Sequence, residues 1–222
     1  MCGRYANLLP PDAMAQLFRT EGPLPNWPQR YNIAPTQSAP ICRLDSEGHR
    51  RLVLARFGLV PSWAGSPSDV RLAFNARSET AAAKPLFRDA LARRRCLVPA
   101  SAFYEWQASG KAKQPYAIVG ADGGPLVLAG LWERWRDPGS GERVDSFAVL
   151  TTTANGVMAP LHDRMPVILA EADWEGWLAG SPAEALKRLR PCPDGWLRAY
   201  PVGRAVGNVR NDGAGLLDPL VV

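Results

Sequence analysis

The residue with the most distinctive chemistry is Cys2, which follows the initiator Met1. Trimming of Met1 would leave Cys2 with a free α-amine beside its thiol. The α-amine has a reference pKa of about 7.7–8.0 and the thiol about 8.5, so both have a nucleophilic fraction near neutrality. Only an N-terminal cysteine offers this 1,2-aminothiol, which condenses with an aldehyde to an imine and closes through sulfur to a five-membered thiazolidine. A second-position cysteine also arises by chance, so the residue needs company before it carries a function.

Three further stretches supply candidates. In Phe74-Asn75-Ala76-Arg77-Ser78-Glu79-Thr80, the Asn75 amide is suited to orienting a nucleophile or substrate and Arg77 to forking onto a phosphate. The same stretch also reads as a polar turn leading into a helix near Pro85. Glu105 lies among aromatics in Ser101-Ala102-Phe103-Tyr104-Glu105-Trp106. A desolvated carboxyl there would suit proton transfer, whereas strict alternation would point Glu105 at solvent and pack Tyr104 and Trp106 inward. His162, one of two histidines, sits in the loop-like Leu161-His162-Asp163-Arg164-Met165-Pro166; imidazole is a natural acid–base group near neutrality, and a lone histidine is also a common structural residue. The run Arg93-Arg94-Arg95 fits phosphate contact or simple complementation of a helix C-terminus.

These residues must be held by many short elements, because 21 prolines and 20 glycines break up a chain of 222 residues. Pro11 to Arg19 places Met14, Leu17 and Phe18 at helical spacing. Ile41–Leu44 and Arg51–Val60 flank Ser46-Glu47-Gly48 as a hairpin. Pro85 to Arg94 reads as a helix, and Cys96–Val98, Ala102–Gln107, Tyr116–Val119, Leu126–Leu131, Val144–Thr151 and Leu197–Val202 read as strands. Ser181-Pro182-Ala183-Glu184 forms a capping box that starts a helix running to about Leu189. The expectation is a single α+β domain, residues 1–222, on a largely antiparallel curved sheet with helices at the periphery.

Composition limits the function. Hydrophobic residues make up 46% of the chain and charged residues 21%, enough for a core without disulfides or a structural metal. The four cysteines, at 2, 42, 96 and 192, lack C-x-x-C spacing, and Cys42 with His49 lacks companions, so we expect no metal and no cofactor. No run of about 18 apolar residues is present and the opening lacks a signal-peptide core; we read a cytoplasmic protein without membrane association. A net charge of +5 and eight tryptophans are compatible with a nucleic-acid partner without requiring one.

Taken in order, Met1-Cys2-Gly3-Arg4-Tyr5, Phe57-Gly58-Leu59-Val60-Pro61-Ser62-Trp63, Asn75-Ala76-Arg77-Ser78-Glu79-Thr80, Cys96 through Trp106, and His162-Asp163-Arg164-Met165-Pro166 resemble the SOS response-associated peptidase family, also called abasic site processing proteins. The resemblance is strong from Cys2 to about Pro166 and weak beyond. It implies a mixed, mostly antiparallel bifurcated sheet forming a barrel-like core. It implies that Cys2 forms a thiazolidine with the ring-opened sugar aldehyde of an abasic site in single-stranded DNA, with Asn75, Glu105 and His162 as the remaining catalytic positions. It further implies DNA contacts at Arg4, Trp63, Arg77, Trp106, Arg164 and Met165, a cross-link able to reverse, a monomer without an obligate protein partner, and association with the nucleoid when DNA is damaged. Two departures stand out: Phe57 occupies a position where Trp is expected, which would weaken a stacking contact, and Ala102 one where Gly is usual, which would alter the local backbone. The segment Val206–Asn211 fits the family poorly and contributes no residue to the expected site. The rival readings are a thiol peptidase, with Cys2 as nucleophile, His162 as base and Asn75 or Glu105 as orienter, and a single-strand binder with no chemistry.

Overall fold

The computed structural model describes residues 2–109 and 112–220; Met1 of the first motif lies outside the described residues. In chain order the strands and helices are β1 (Tyr5–Asn7), α1 (Pro11–Phe18), β2 (Arg30–Ile33), β3 (Ser38–Leu44), β4 (Arg50–Phe57), β5 (Asn75–Arg77), α2 (Ser78–Ala81), α3 (Pro85–Arg93), β6 (Arg95–Ala100), β7 (Ala102–Ser109), β8 (Ala112–Gly120), β9 (Leu126–Arg136), β10 (Arg143–Thr153), β11 (Arg164–Pro166), α4 (Glu171–Leu178), α5 (Pro182–Leu186) and β12 (Leu197–Pro201). Among the described residues no helix is long and apolar enough to cross a membrane.

Five strands close into a barrel in the order β10-β4-β3-β6-β9, with β9 pairing back onto β10. A ring with an odd number of strands cannot be antiparallel throughout. The single parallel seam is β4–β10, where Ser146 pairs with Arg56 and Phe147 with Phe57. Along one edge β10 pairs first with β4 and then with β5; along the other it pairs first with β9 and then with β11. This splitting is the bifurcation that the family resemblance implies, and the mixed α+β fold with a barrel-like core is as expected. The second sheet, β12-β8-β7-β1-β2, is antiparallel throughout.

Both faces of that second sheet are covered, as the alternation along β7 makes plain. Phe103 joins the main core with Tyr5, Phe57 and Phe147, whereas Tyr104 joins a smaller cluster with Ala6, Ala117, Val202, Val206 and Leu216. The C-terminal segment therefore roofs the sheet, and each of its buried aliphatic side chains contributes about 1.5–3 kcal/mol relative to exposure.

Local chemistry explains the helices. Proline opens α1 and α3 in the first turn, where its missing N–H costs nothing, and their buried faces carry Met14 and Phe18, and Phe87, Ala90 and Leu91. The capping box of α5 is fully formed. Its helix stops at Leu186 rather than near Leu189, because Arg188 and Leu189 bond three residues back in a tighter turn ahead of Pro191. Gly58 takes φ +120°, and a Cβ there would meet Leu72 Cδ1 at 2.5 Å, so only glycine turns the chain out of β4 at this point.

Phe57 requires a correction to the stacking role. It is fully buried, stacked on Phe147 at 5.1 Å and edge-on to Tyr5 and Phe74; it fills the barrel and presents no face to a base. Ala102 sits in regular pairing opposite Ala6.

Candidate active site

Cys2 lies just ahead of β1 and is fully buried in the main core cluster. Its main-chain carbonyl accepts a hydrogen bond from Asn75 Nδ2 at 3.1 Å, and the Arg4 N–H donates toward its sulfur. Burial pushes the Cys2 thiol well above its ordinary pKa, and the negative charge of Glu105 pushes it further. Both effects act against a free thiolate.

Asn75 is placed by β5, which pairs in parallel with β10 from Asn75↔Val149 to Arg77↔Thr151. A second bond from Nδ2 reaches Val149 O at 3.4 Å. The buried Oδ1 has no hydrogen-bond partner among the described residues, leaving an acceptor beside Cys2 ready for an N–H or O–H.

Glu105 lies on the same face of β7 as Phe103, toward Cys2, and is buried. It lines a cleft of about 390 Å³ with Trp106, Lys113, His162 and Gly207. His162 reaches this cleft because its loop is pinned to β7: Gln107 Nε2 donates to Pro160 O at 3.1 Å, and Asn155 closes the turn through Met158 N at 3.1 Å.

Two contacts compete for His162 Nδ1: the Arg164 N–H at 2.9 Å and Asp163 Oδ1 at 2.8 Å. A nitrogen that accepts the first has no proton to give the second. Asp163 is 86% exposed and solvated, so the main-chain donor governs. The neutral imidazole then carries its proton on Nε2.

The expected DNA contacts are placed unevenly. Trp63 is 65% exposed, Trp106 is half-buried at the cleft, and Arg77 is exposed. Arg4 Nη1 donates to Asn32 Oδ1 at 3.0 Å and to Val206 O at 2.7 Å, and its guanidinium lies 5.8 Å from the Trp106 ring. Arg164 forks onto Glu79 with two bonds of 2.8 Å and also donates to Thr151 O at 2.6 Å; this pairing lowers the Glu79 pKa. Met165 is fully buried in the main core, because β11 pairs with β10 at Thr152↔Met165. It therefore has no surface to offer a strand.

Sequence reasoning missed Asn32, Lys113 and Gly207. Lys113 reaches the cleft only through the β7–β8 register, Ala108↔Lys113, which no local pattern encodes. For Asn32 the available signal was a polar residue set between Tyr31 and Ile33 in a short strand.

Comparisons with known proteins bear on the family and the fold. The family described as SOS response associated peptidase (SRAP) matches residues 1–209. The abasic site processing protein YoqW of Bacillus subtilis is 33% identical over 98% of this chain and 99% of its own length. The abasic site processing protein YedK of Escherichia coli is 31% identical over 99% of this chain and 100% of its own. A crystal structure of a protein from Bacteroides thetaiotaomicron superposes with a TM-score of 0.89 at 24% identity, covering 99% of this chain and 100% of its own, which bears on the fold alone. With nearly the whole chain matched and full-length relatives above 30% identity, the chain belongs to the SOS response-associated peptidase family.

Proposed function

We propose that this chain, once Met1 is removed, links itself covalently to abasic sites in single-stranded DNA through a thiazolidine at Cys2. The observation that carries the reading is the grip on Cys2: its carbonyl is held by Asn75 at 3.1 Å, and Glu105 lies close enough for its charge to act on the thiol. The names of the full-length relatives, abasic site processing proteins, support the lesion as target.

The abasic sugar is mostly a closed hemiacetal, so it must open first. The Nε2–H of His162 hydrogen-bonds the ring oxygen as that bond breaks, while Glu105 carries the proton of the anomeric hydroxyl across to that same oxygen, so that both residues end the step unchanged. The Cys2 amine adds to the aldehyde carbon to give a carbinolamine, steadied by the open Oδ1 of Asn75. Its hydroxyl leaves as water, giving an imine. The Cys2 sulfur then adds to the same carbon and the thiol proton passes by way of Glu105 to nitrogen, so the net loss is one water. Ring closure traps the imine before β-elimination can cut the strand, and the same steps in reverse release the DNA.

Trp63, Trp106, Arg77 and Lys113 supply the aromatic faces and cations that suit an unpaired strand. The peptidase reading needs a thiolate–imidazolium pair, and burial together with Glu105 disfavours that thiolate.

Intact mass spectrometry of the trimmed protein with a single-stranded oligonucleotide carrying one abasic site tests the proposal. The expected product is a one-to-one adduct lighter by one water and absent with Cys2→Ala. A trimmed wild-type protein that forms no adduct overturns it.

A further inference from the structure

We infer that Asn32 is a positioning residue for Cys2, tying the reactive terminus through Arg4 to the segment Val206–Asn211 and making that segment part of the reactive site. The inference rests on the covalent reading above and extends it to a segment outside the motifs that carry the resemblance.

Asn32 is polar, fully buried and completely engaged. Its Oδ1 accepts from Arg4 Nη1 at 3.0 Å. Its Nδ2 faces three carbonyls of the C-terminal segment: Val206 O at 3.2 Å, Asn208 O at 3.0 Å and Asn211 O at 2.8 Å. Arg4 Nη1 donates to the same Val206 carbonyl at 2.7 Å, so Arg4, Asn32 and Val206 form a closed triangle. A buried network satisfied in this way specifies one arrangement, since losing any member strands the others without water. Aspartate would keep the acceptor and lose the donors; an aliphatic residue would lose both.

The two ends of this network bear on the reaction. At one end, Arg4 is two residues from Cys2, its N–H faces the Cys2 sulfur, its carbonyl accepts from Tyr104 N at 2.9 Å, and its guanidinium lies against Trp106. At the other, Gly207 follows Val206 and lines the cleft that holds Glu105 and His162. The segment is also anchored independently: Asp212 accepts from Tyr31 N at 2.6 Å and pairs with Arg30, and Val206 is fully buried. Trimming leaves Cys2 as a chain end, and chain ends fray unless tied. Asn75 holds that end at Cys2 and Asn32 holds it at Arg4.

The test compares Asn32→Ala, Asn32→Asp and Asp212→Ala with wild type, all trimmed and checked for folding by thermal melting. The readouts are the adduct-forming rate at saturating abasic oligonucleotide and the Kd for the same strand without a lesion. For Asn32→Ala the saturated rate should fall by roughly 10- to 100-fold, the scale of a misplaced reacting group, while Kd changes far less. Asn32→Asp, which keeps the Arg4 contact but not the carbonyl contacts, should also be slow. Asp212→Ala loosens the segment without touching Asn32 or Arg4, should shift the rate in the same direction, and carries the test if the Asn32 variants do not fold. Folded variants that react at the wild-type rate, or lose rate only in step with affinity, overturn the inference. A wild-type chain without adduct removes the covalent reading itself, a result distinct from either.

Discussion

The side-chain amide of Asn75 donates to the main-chain carbonyl of Cys2 at 3.1 Å while its own carbonyl oxygen stays buried and unpaired among the described residues. One side chain thus holds Cys2, the nucleophile of the proposed reaction, and keeps an acceptor open beside it. Asn75→Ala should lower the adduct-forming rate by about 100-fold, the scale of a misplaced reacting group, and lower stability by only about 1 kcal/mol, the net worth of a hydrogen bond. Single-turnover cross-linking and urea denaturation on the same samples would measure the two, and a rate loss matched by unfolding would remove the orienting role.

Glu105→Gln keeps the shape of the side chain and removes its charge. The cross-linking rate should fall roughly 10²- to 10⁴-fold, as for loss of a general acid–base. Because the Glu105 charge helps to raise the Cys2 thiol, the thiolate should appear at lower pH in this variant. Ultraviolet thiolate titration against a Cys2→Ser control reads that shift, and an unmoved titration would mean that the two groups do not interact.

Stability should decline on the alkaline side. Burial raises the thiol of Cys42 to about 12 and that of Cys192 to about 11, from 9.0, and lifts Cys96 and Tyr5 well above their ordinary values. A raised folded-state pKa favours the protonated form in the fold. The contribution is complete below the unfolded value, 9.0 for the thiols, and is lost as pH rises through about 11 for Cys192 and about 12 for Cys42. Between those limits each group lowers stability by about 1.4 kcal/mol per pH unit. Denaturation midpoints measured at stepped alkaline pH should show this slope, and Cys42→Ala should make it shallower.

Non-covalent binding should depend on Trp106 and Arg77 in different ways. Trp106→Ala should weaken binding to lesion-free single strands by about 1–3 kcal/mol, the worth of one stacked base. Arg77→Ala should weaken binding to all sequences alike and reduce the slope of log K against log salt by about 0.7, one phosphate contact on a single strand. Fluorescence anisotropy over a salt series separates the two, and an affinity indifferent to salt would remove the phosphate contacts.

The helices α1 and α3 and the β3–β4 hairpin were legible because local spacing and proline placement determine them. The Asn75–Thr80 stretch reads locally as a turn, yet it contains β5 followed by α2; its backbone bonds come from β10, far along the chain, and no local pattern encodes a parallel partner. Strand β9 runs to Arg136, beyond the expected Leu131, because β10 pairs with it along that extension. Alternation could not orient Glu105, since it assumes one wet face, and the C-terminal segment covers the face that would have been wet. Cys2, Asn75, Glu105 and His162 were each ambiguous alone and became a set through the order of their motifs. Asn32 escaped notice because its partners are main-chain carbonyls far along the chain, which no local pattern encodes.

The triangle of Arg4, Asn32 and Val206 also sets a timetable. Synthesis proceeds from the N-terminus, and Cys2 emerges from the ribosome when nearly the whole chain is still to be made. A nascent chain stopped short of residue 206 would carry the aminothiol without its clamp and without the Gly207 wall of the cleft. On the reading proposed above, the terminus would stay unassembled until the segment around residues 206–211 has been synthesised and has docked.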